Sequence, residues 1–176
     1  AELLNGIERP QQRRDKKLAP VKVFVSYAHD DNQTIRYKDE LITSLAYLQR
    51  MEQIEIWEDG EIKAGEEWEK EIYEQLEAAQ IVVCLVSSSF IASDFCWTIE
   101  LKQALEAHNK GEKVVIPIQI EHSGWAKTDL GKIQGLPTKP ISSYKPRADG
   151  WAEIFEHFEQ VIEEIQQKQR GGEQFI

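Results

Sequence analysis

The chain has 176 residues, of which 41% are hydrophobic, and a formal net charge of −10. This length suits one domain with a substantial core, and the apolar content excludes a disordered chain. The acidic balance argues against nucleic-acid binding, which requires a basic surface. The sequence contains neither an apolar run of the roughly 20 residues that cross a membrane nor a signal peptide, so we predict no membrane association.

The cysteines and histidines exclude two further classes of protein. Cys84 falls in the middle of a predicted strand, so we do not expect it to form a disulfide with Cys96. This favours a reducing, cytoplasmic environment. The four histidines are scattered and lack ligand spacing with the cysteines, which predicts that the protein has no metal site.

Residues 1–20 differ in charge from the rest of the chain. They carry three acidic and five basic side chains, a net charge of +2 that leaves −12 for the remainder: Arg9, Arg13, Arg14, Lys16 and Lys17 are the basic ones. The segment has two prolines and no sustained periodicity, which is typical of a linker. Because the chain begins with Ala1 and not Met, we expect that a further domain precedes it.

Strands and helices are predicted to alternate over residues 21–168. Apolar, β-branched runs predict five strands, at 21–27, 54–58, 81–86, 113–120 and 140–144. Helical spacing of apolar residues predicts four helices. They run over about 32–50, from about 68 to 79, from the end of the third strand to about 109, and from Asp149 onward. The polar residues at 169–176 are predicted to form a flexible tail.

This alternation predicts the fold class. It is typical of an α/β protein with a parallel sheet and helices on both faces. Five strands with right-handed crossovers allow the flavodoxin-like order 2-1-3-4-5, in which ligands bind outside the carboxyl ends of strands one and three. The sequence therefore predicts a ligand crevice at Tyr27, Ala28, His29 and Ser87.

One carboxylate is predicted to lie beside this crevice. The helix after the third strand carries an apolar stripe that includes Trp97, Leu101 and Leu105. At about 100° per residue, Glu100 lies roughly 80° from the centre of that stripe. Glutamates on helices are usually solvated, but the position of Glu100 near the predicted crevice favours a functional role.

Other chemistries find no support in the motifs. There is no glycine-rich dinucleotide fingerprint and no phosphate-binding loop. Asp30 and Asp31 follow the first strand, as acidic pairs do in magnesium-binding phosphoacceptor domains. Such a domain also needs an aspartate at the end of the third strand, where this chain has Ser87. The loop from Asp59 to Glu66 is either a simple connector or a mobile docking loop.

Several segments resemble Toll/interleukin receptor (TIR) domains. Residues 24–31 (FVSYAHDD) are similar to the first TIR signature, and residues 57–72 (WEDGEIKAGEEWEKEI) resemble the loop and helix after the second strand. Residues 86–105 resemble the region of the catalytic glutamate. The resemblance covers about residues 21–165 in matching order, and it is strongest to TIR domains of the bacterial type.

The resemblance implies two alternative functions. Many TIR domains bind other TIR domains as signalling scaffolds, whereas others cleave NAD at the nicotinamide–ribose bond with one glutamate, here Glu100. For an NAD-cleaving effector, the resemblance implies no cofactor besides the substrate and a substrate contact from Trp97. It also implies self-association, switched by an upstream sensor domain, through the loop that contains Asp59, Gly60, Ile62, Lys63 and Gly65. The alternative is a catalytically silent adaptor that recruits partners through the same loop.

Overall fold

The computed structural model describes residues 17–29, 31–58, 68–93 and 98–173, without the side chains of residues 68, 69, 99, 100 and 173. The described residues form a four-stranded parallel sheet in the order β2-β1-β3-β4. The strands are β1 (Val21–Ser26), β2 (Ile54–Glu58), β3 (Ile81–Val86) and β4 (Val114–Gln119). The α/β class, the parallel sheet and the order of its first four strands are thereby confirmed.

Six α-helices connect or follow these strands in the described part of the chain. They are α1 (Asn32–Ser44), α2 (Ala46–Arg50), α3 (Trp68–Ala78), α4 (Ser88–Ala92), α5 (Ile99–Asn109) and α6 (Arg147–Glu173). Two helices therefore occupy the region 32–50, where one was predicted. Helix α6 begins before the predicted Asp149 and includes residues 169–173, which the sequence analysis assigned to a polar tail.

Each face of the sheet has its own apolar core, as expected for a parallel sheet covered on both sides. Val21, Val23 and Val25 alternate along β1 with Phe24, and these two sets of side chains enter different clusters. One cluster joins the sheet to α1, α2 and α6, and the other joins it to α3 and α5. All six residues of β3 are buried, because this strand has a neighbour on each side and helices on each face.

The predicted fifth strand at 140–144 is wrong. The segment forms a short 3₁₀ helix, Ile141–Ser143, in which Ser143 and Tyr144 donate backbone hydrogen bonds to Pro140 and Ile141. Pro140 has no N–H to donate to a strand ladder. Of the donors that follow it, Ser142 reaches Ile120 directly after β4, whereas Ser143 and Tyr144 close the local turn. β4 is therefore an edge strand of the described sheet.

His108 is held at the packed face of α5. Its Nδ1 accepts a hydrogen bond of 3.0 Å from the backbone N–H of Val115. Burial lowers the pKa of His108, and it also lowers that of His157 on α6. Both rings are thus favoured in their neutral form in the folded state.

We expect His108→Asn to weaken the acid sensitivity of the fold. A folded-state pKa below the unfolded value of about 6.5 contributes stability above that pH, and this contribution is lost as the pH falls through the folded pKa. Asparagine supplies an acceptor without titrating, so urea midpoints of the variant should fall less between pH 7 and 5 than those of the wild type. The exposed His122 offers a matched control, because His122→Asn should keep the wild-type slope. Parallel curves for His108→Asn and the wild type would contradict the prediction.

Candidate active site

The carboxyl ends of β1 and β3 lie side by side, as the predicted crevice requires. Val25 pairs with Val83 and Ser26 pairs with Cys84 in parallel register. The chain leaves β1 through Tyr27, Ala28 and His29 and leaves β3 through Ser87, so four of the predicted substrate-binding residues share one edge of the sheet. Tyr27, Ala28 and Ser87 are buried there, whereas His29 is exposed.

Ser87 has a structural role at this edge. Its Oγ accepts a hydrogen bond of 3.0 Å from the N–H of Phe90, and it thereby caps the short helix α4. The next backbone N–H, that of Ser88, donates to Glu121 Oε1 at 3.1 Å. The sequence analysis expected the Glu100 helix to begin directly after these serines, but α4 intervenes and α5 begins at Ile99.

Asp31 links α1 to α4 across the ends of the two strands. It caps α1 by accepting hydrogen bonds of 2.9 Å from the N–H of Gln33 and from Thr34 Oγ1. Its second oxygen also accepts a bond of 3.3 Å from Ser89 Oγ. These donors, Thr34 first, hold the pKa of Asp31 below its ordinary value despite partial burial. Asp31 therefore serves as a helix cap.

A charged pair lies beneath Tyr27 and was not anticipated from the sequence. Lys38 Nζ on α1 lies 3.3 Å from Glu58 Oε1 at the end of β2, and 5.4 Å from the centre of the Tyr27 ring. The Tyr27 ring packs in turn against the His29 ring, with 4.5 Å between centroids. These contacts couple the crevice residues to the last residue of β2.

The charges of Lys38 and Glu58 are compensated to different extents. Burial lowers the pKa of Lys38, but a hydrogen bond to Asp39 and the charge of Glu58 outweigh it, so the pKa is raised overall. Glu58 Oε2 is buried and has no hydrogen-bond partner among the described residues. A carboxylate in this state depends on one ammonium group for its compensation. The pair therefore keeps a charged group at the end of β2, directly before residue 59.

A sequence signal for this pair existed. Lys38 precedes Leu41 and Leu45 at helical spacing, which places it on the buried stripe of α1. Glu58 follows Ile54 and Ile56 at alternate positions of β2, and so lies on the strand face that packs on α1. Two opposite charges on buried faces predict a pair, but only the fold shows that the faces meet.

The remaining predicted site residues are not placed by the structure. The backbone of Glu100 belongs to the first turn of α5, behind the Thr98 cap, but its side chain lies outside the described atoms. Trp97 also lies outside the described residues, as do the loop residues Asp59, Gly60, Ile62, Lys63 and Gly65. Contact between the Glu100 carboxylate and Tyr27, Ala28 or Ser87 stays a prediction.

Two general features bear on what this edge can do. Within the described ranges, no three His, Cys, Asp or Glu side chains come together as metal ligands would. No helix of the described chain is both long and apolar enough to cross a membrane.

Comparison with known proteins provides the family. A family model described as TIR domain matches residues 23–154. An uncharacterised protein of Sinorhizobium fredii, y4lF, is 37% identical over 147 residues, which are 82% of this chain and 42% of that protein. The 2′ cyclic ADP-D-ribose synthase BtTIR of Bacteroides thetaiotaomicron is 32% identical over 97 residues, which are 54% of this chain and 31% of the synthase. The chain thus spans less than half the length of either relative.

The family match and the fold agree with each other. The matched residues begin in β1 and end in α6, so they include most of β1, all of the other three strands and the carboxyl ends of β1 and β3. The resemblance noted in the sequence is confirmed at the level of the family: this chain belongs to the TIR domain family.

Proposed function

We propose that this TIR domain cleaves NAD at the nicotinamide–ribose bond and that Glu100 is its catalytic carboxylate. The observation that carries the proposal is the similarity to a 2′ cyclic ADP-D-ribose synthase over 97 residues. A cyclic ADP-ribose is what remains of NAD after nicotinamide leaves and the ribose is closed on the rest of the molecule. The adjacent ends of β1 and β3 support the proposal, because they form the edge at which ligands bind in such sheets.

The chemistry requires few protein groups. The bond between ribose C1′ and the nicotinamide nitrogen breaks, and its electron pair leaves with the nicotinamide, which becomes neutral. No general acid is needed for this leaving group. The sugar develops oxocarbenium character, as in glycoside hydrolysis, and a fixed carboxylate can stabilise that charge. Water or a hydroxyl of the substrate then bonds to C1′ and loses its proton.

A direct test is nicotinamide release from NAD. Concentrated wild-type protein should release nicotinamide, and Glu100→Ala should not, with both proteins showing the same far-UV circular dichroism. No release by the wild type at any concentration, including protein clustered on a surface through an N-terminal tag, would reject the enzyme and leave the adaptor function standing.

The adaptor function has one observation in its favour. Ser87 is fully buried and its Oγ accepts the bond that caps α4, so this predicted substrate contact already has a structural partner. A silent domain would act by binding other TIR domains. Release of nicotinamide by the wild type separates the two functions without further assumptions.

We further propose that the domain self-associates through residues 59–66, under the control of an upstream sensor. A site with few catalytic groups gains rate when a neighbouring protomer helps to position the substrate. The family match supports association in general, since TIR domains interact with one another. The loop directly follows Glu58, so the charged pair with Lys38 anchors one of its ends.

We expect Gly65→Pro and Ile62→Asp to reduce self-association and to lower NAD turnover at least about tenfold at low protein concentration. Proline restricts the loop backbone, and aspartate places a charge in a contact that would otherwise bury an apolar side chain. Light scattering and nicotinamide release measure the two effects. Met51→Asp makes the same kind of change at an exposed residue outside the loop and should alter neither. Unchanged association and turnover in both loop variants would make the loop a simple connector.

A further inference from the structure

A groove between α1 and α6 lies on the side of the molecule away from α3 and α5. Its volume is about 870 Å³, and its lining includes the side chains of Ala148, Ala152 and Phe155. Four acidic residues and one arginine also line it, which gives a net charge of −3: Asp39, Glu40, Glu156 and Glu159 with Arg147. The groove is thus lined both by apolar side chains and by charged side chains of net negative charge.

Part of this acidic charge is uncompensated. Glu40 binds Arg147 at 2.5 Å and accepts a bond of 2.9 Å from Trp151 Nε1, so its charge is used within the fold. Glu156 and Glu159 are exposed and pair with no cation among the residues described. A ligand for this groove would therefore carry positive charge next to apolar groups.

The chain itself contains a segment of that chemistry. Residues 9–17 (RPQQRRDKK) hold five basic side chains and one acidic one, a net charge of +4, and Ile7 precedes them. The remainder beyond residue 20 carries −12, so the surface of a second copy is a poor electrostatic match for an acidic groove. Charge complementarity thus favours the chain's own basic segment as the occupant.

The segment enters the fold at one end of the groove. Lys17 forms an ion pair with Glu52 in the turn between α2 and β2. Five residues earlier, Tyr47 is 58% exposed and its ring lies 6.4 Å from the ring of Phe155, which lines the groove. The turn that holds Lys17 is therefore next to Tyr47, whose ring contacts the groove residue Phe155.

The lengths are compatible. The α6 residues that line the groove run from Arg147 to Glu159, a rise of about 18 Å at 1.5 Å per residue. Eight extended residues, 9–16, span up to about 27 Å at roughly 3.4 Å each. Starting from Lys17, the basic run can follow the whole groove.

We propose that residues 9–17 dock in the groove between α1 and α6, with Arg13, Arg14 and Lys16 near Glu156 and Glu159. The segment then covers a surface that would otherwise be open on α1 and α6. Because the attraction is between exposed charges, it is strong at low salt and screened at high salt.

Limited trypsin digestion tests the docking. At low ionic strength, Glu156→Lys/Glu159→Lys should increase the cleavage rate after Arg13, Arg14 and Lys16 at least about fivefold, as followed by mass spectrometry. Glu74→Lys/Glu106→Lys makes the same charge change on exposed residues of α3 and α5 and should cleave like the wild type. About 0.5 M salt should bring the wild type to the rate of the groove variant.

A charge swap excludes indirect effects. Arg13→Glu/Arg14→Glu should expose Lys16 to trypsin, and its combination with Glu156→Lys/Glu159→Lys should restore protection at Lys16. Equal cleavage of the wild type and the groove variant, without a salt effect, would overturn the proposal. Protection that increases with protein concentration would also overturn it, because the groove would then be occupied by a second copy. Circular dichroism of each variant checks that it is folded, and Glu156→Gln/Glu159→Gln repeats the test with a smaller change.

Discussion

Glu100→Gln will lower nicotinamide release from NAD by roughly 100-fold or more, a loss of about 3 kcal/mol in transition-state stabilisation. Glutamine keeps the shape of the side chain and removes its charge. If the carboxylate stabilises an oxocarbenium-like ribose, the lost interaction acts mainly in the transition state, so NAD binding should change much less than turnover. Single-turnover kinetics and equilibrium NAD binding measure the two quantities separately.

The matched control is a glutamate of the same helix. Glu106 is exposed near the other end of α5, and Glu106→Gln should keep wild-type turnover. The melting temperature should change little in either variant. Wild-type turnover by Glu100→Gln would refute the catalytic assignment, and unfolding of the variant would identify Glu100 as a member of a structural ion pair.

Lys38→Met will destabilise the fold by about 3 kcal/mol, because it leaves the Glu58 carboxylate without its counter-ion. The two side chains are 11% and 18% exposed, so water cannot fully replace the lost ammonium group. Glu58 Oε2 already has no hydrogen-bond partner in the described structure, and in the variant Oε1 loses its bond from Lys38 as well. Urea unfolding at pH 7 measures the loss.

Two further measurements distinguish an unpaired carboxylate from lost packing. Lys38→Met/Glu58→Leu should recover most of the stability, since both charges are then absent. Lys102→Met, at an exposed position of α5, should cost less than about 0.5 kcal/mol. A Lys38→Met variant as stable as the wild type would show that water compensates Glu58.

The charged pair matters for function because of its position. Glu58 is the last residue of β2, directly before the proposed association loop, and Lys38 contacts the Tyr27 ring at the proposed substrate edge. A change at this pair should therefore affect loop and crevice together. Turnover and self-association of Lys38→Met/Glu58→Leu, a variant with restored stability, would measure that coupling without the complication of unfolding.

The sequence by itself determined the helices that are buried on one face and the strand that is buried on both faces. The run Ile81–Val86 predicts a central strand because only a strand with neighbours on both edges and helices on both faces requires six apolar residues in succession. The spacing of Leu101, Ala104 and Leu105 predicts the buried face of α5 in the same way. Right-handed crossovers allow the observed order of these strands, and that order places the ends of β1 and β3 together.

Only the tertiary structure decided which distant side chains meet and which backbone donors are used locally. Lys38 and Glu58 are 20 residues apart, and although each lies on the apolar face of its own element, only the fold shows that the two faces meet. Residues 140–144 have a strand-like composition, but Pro140 lacks a donor, and the N–H groups of Ser143 and Tyr144 close a 3₁₀ turn. Ser87 was likewise predicted to contact a ligand. In the structure its hydroxyl instead accepts the hydrogen bond that caps α4. In each case the competing partner is set by three-dimensional proximity, which local sequence patterns do not contain.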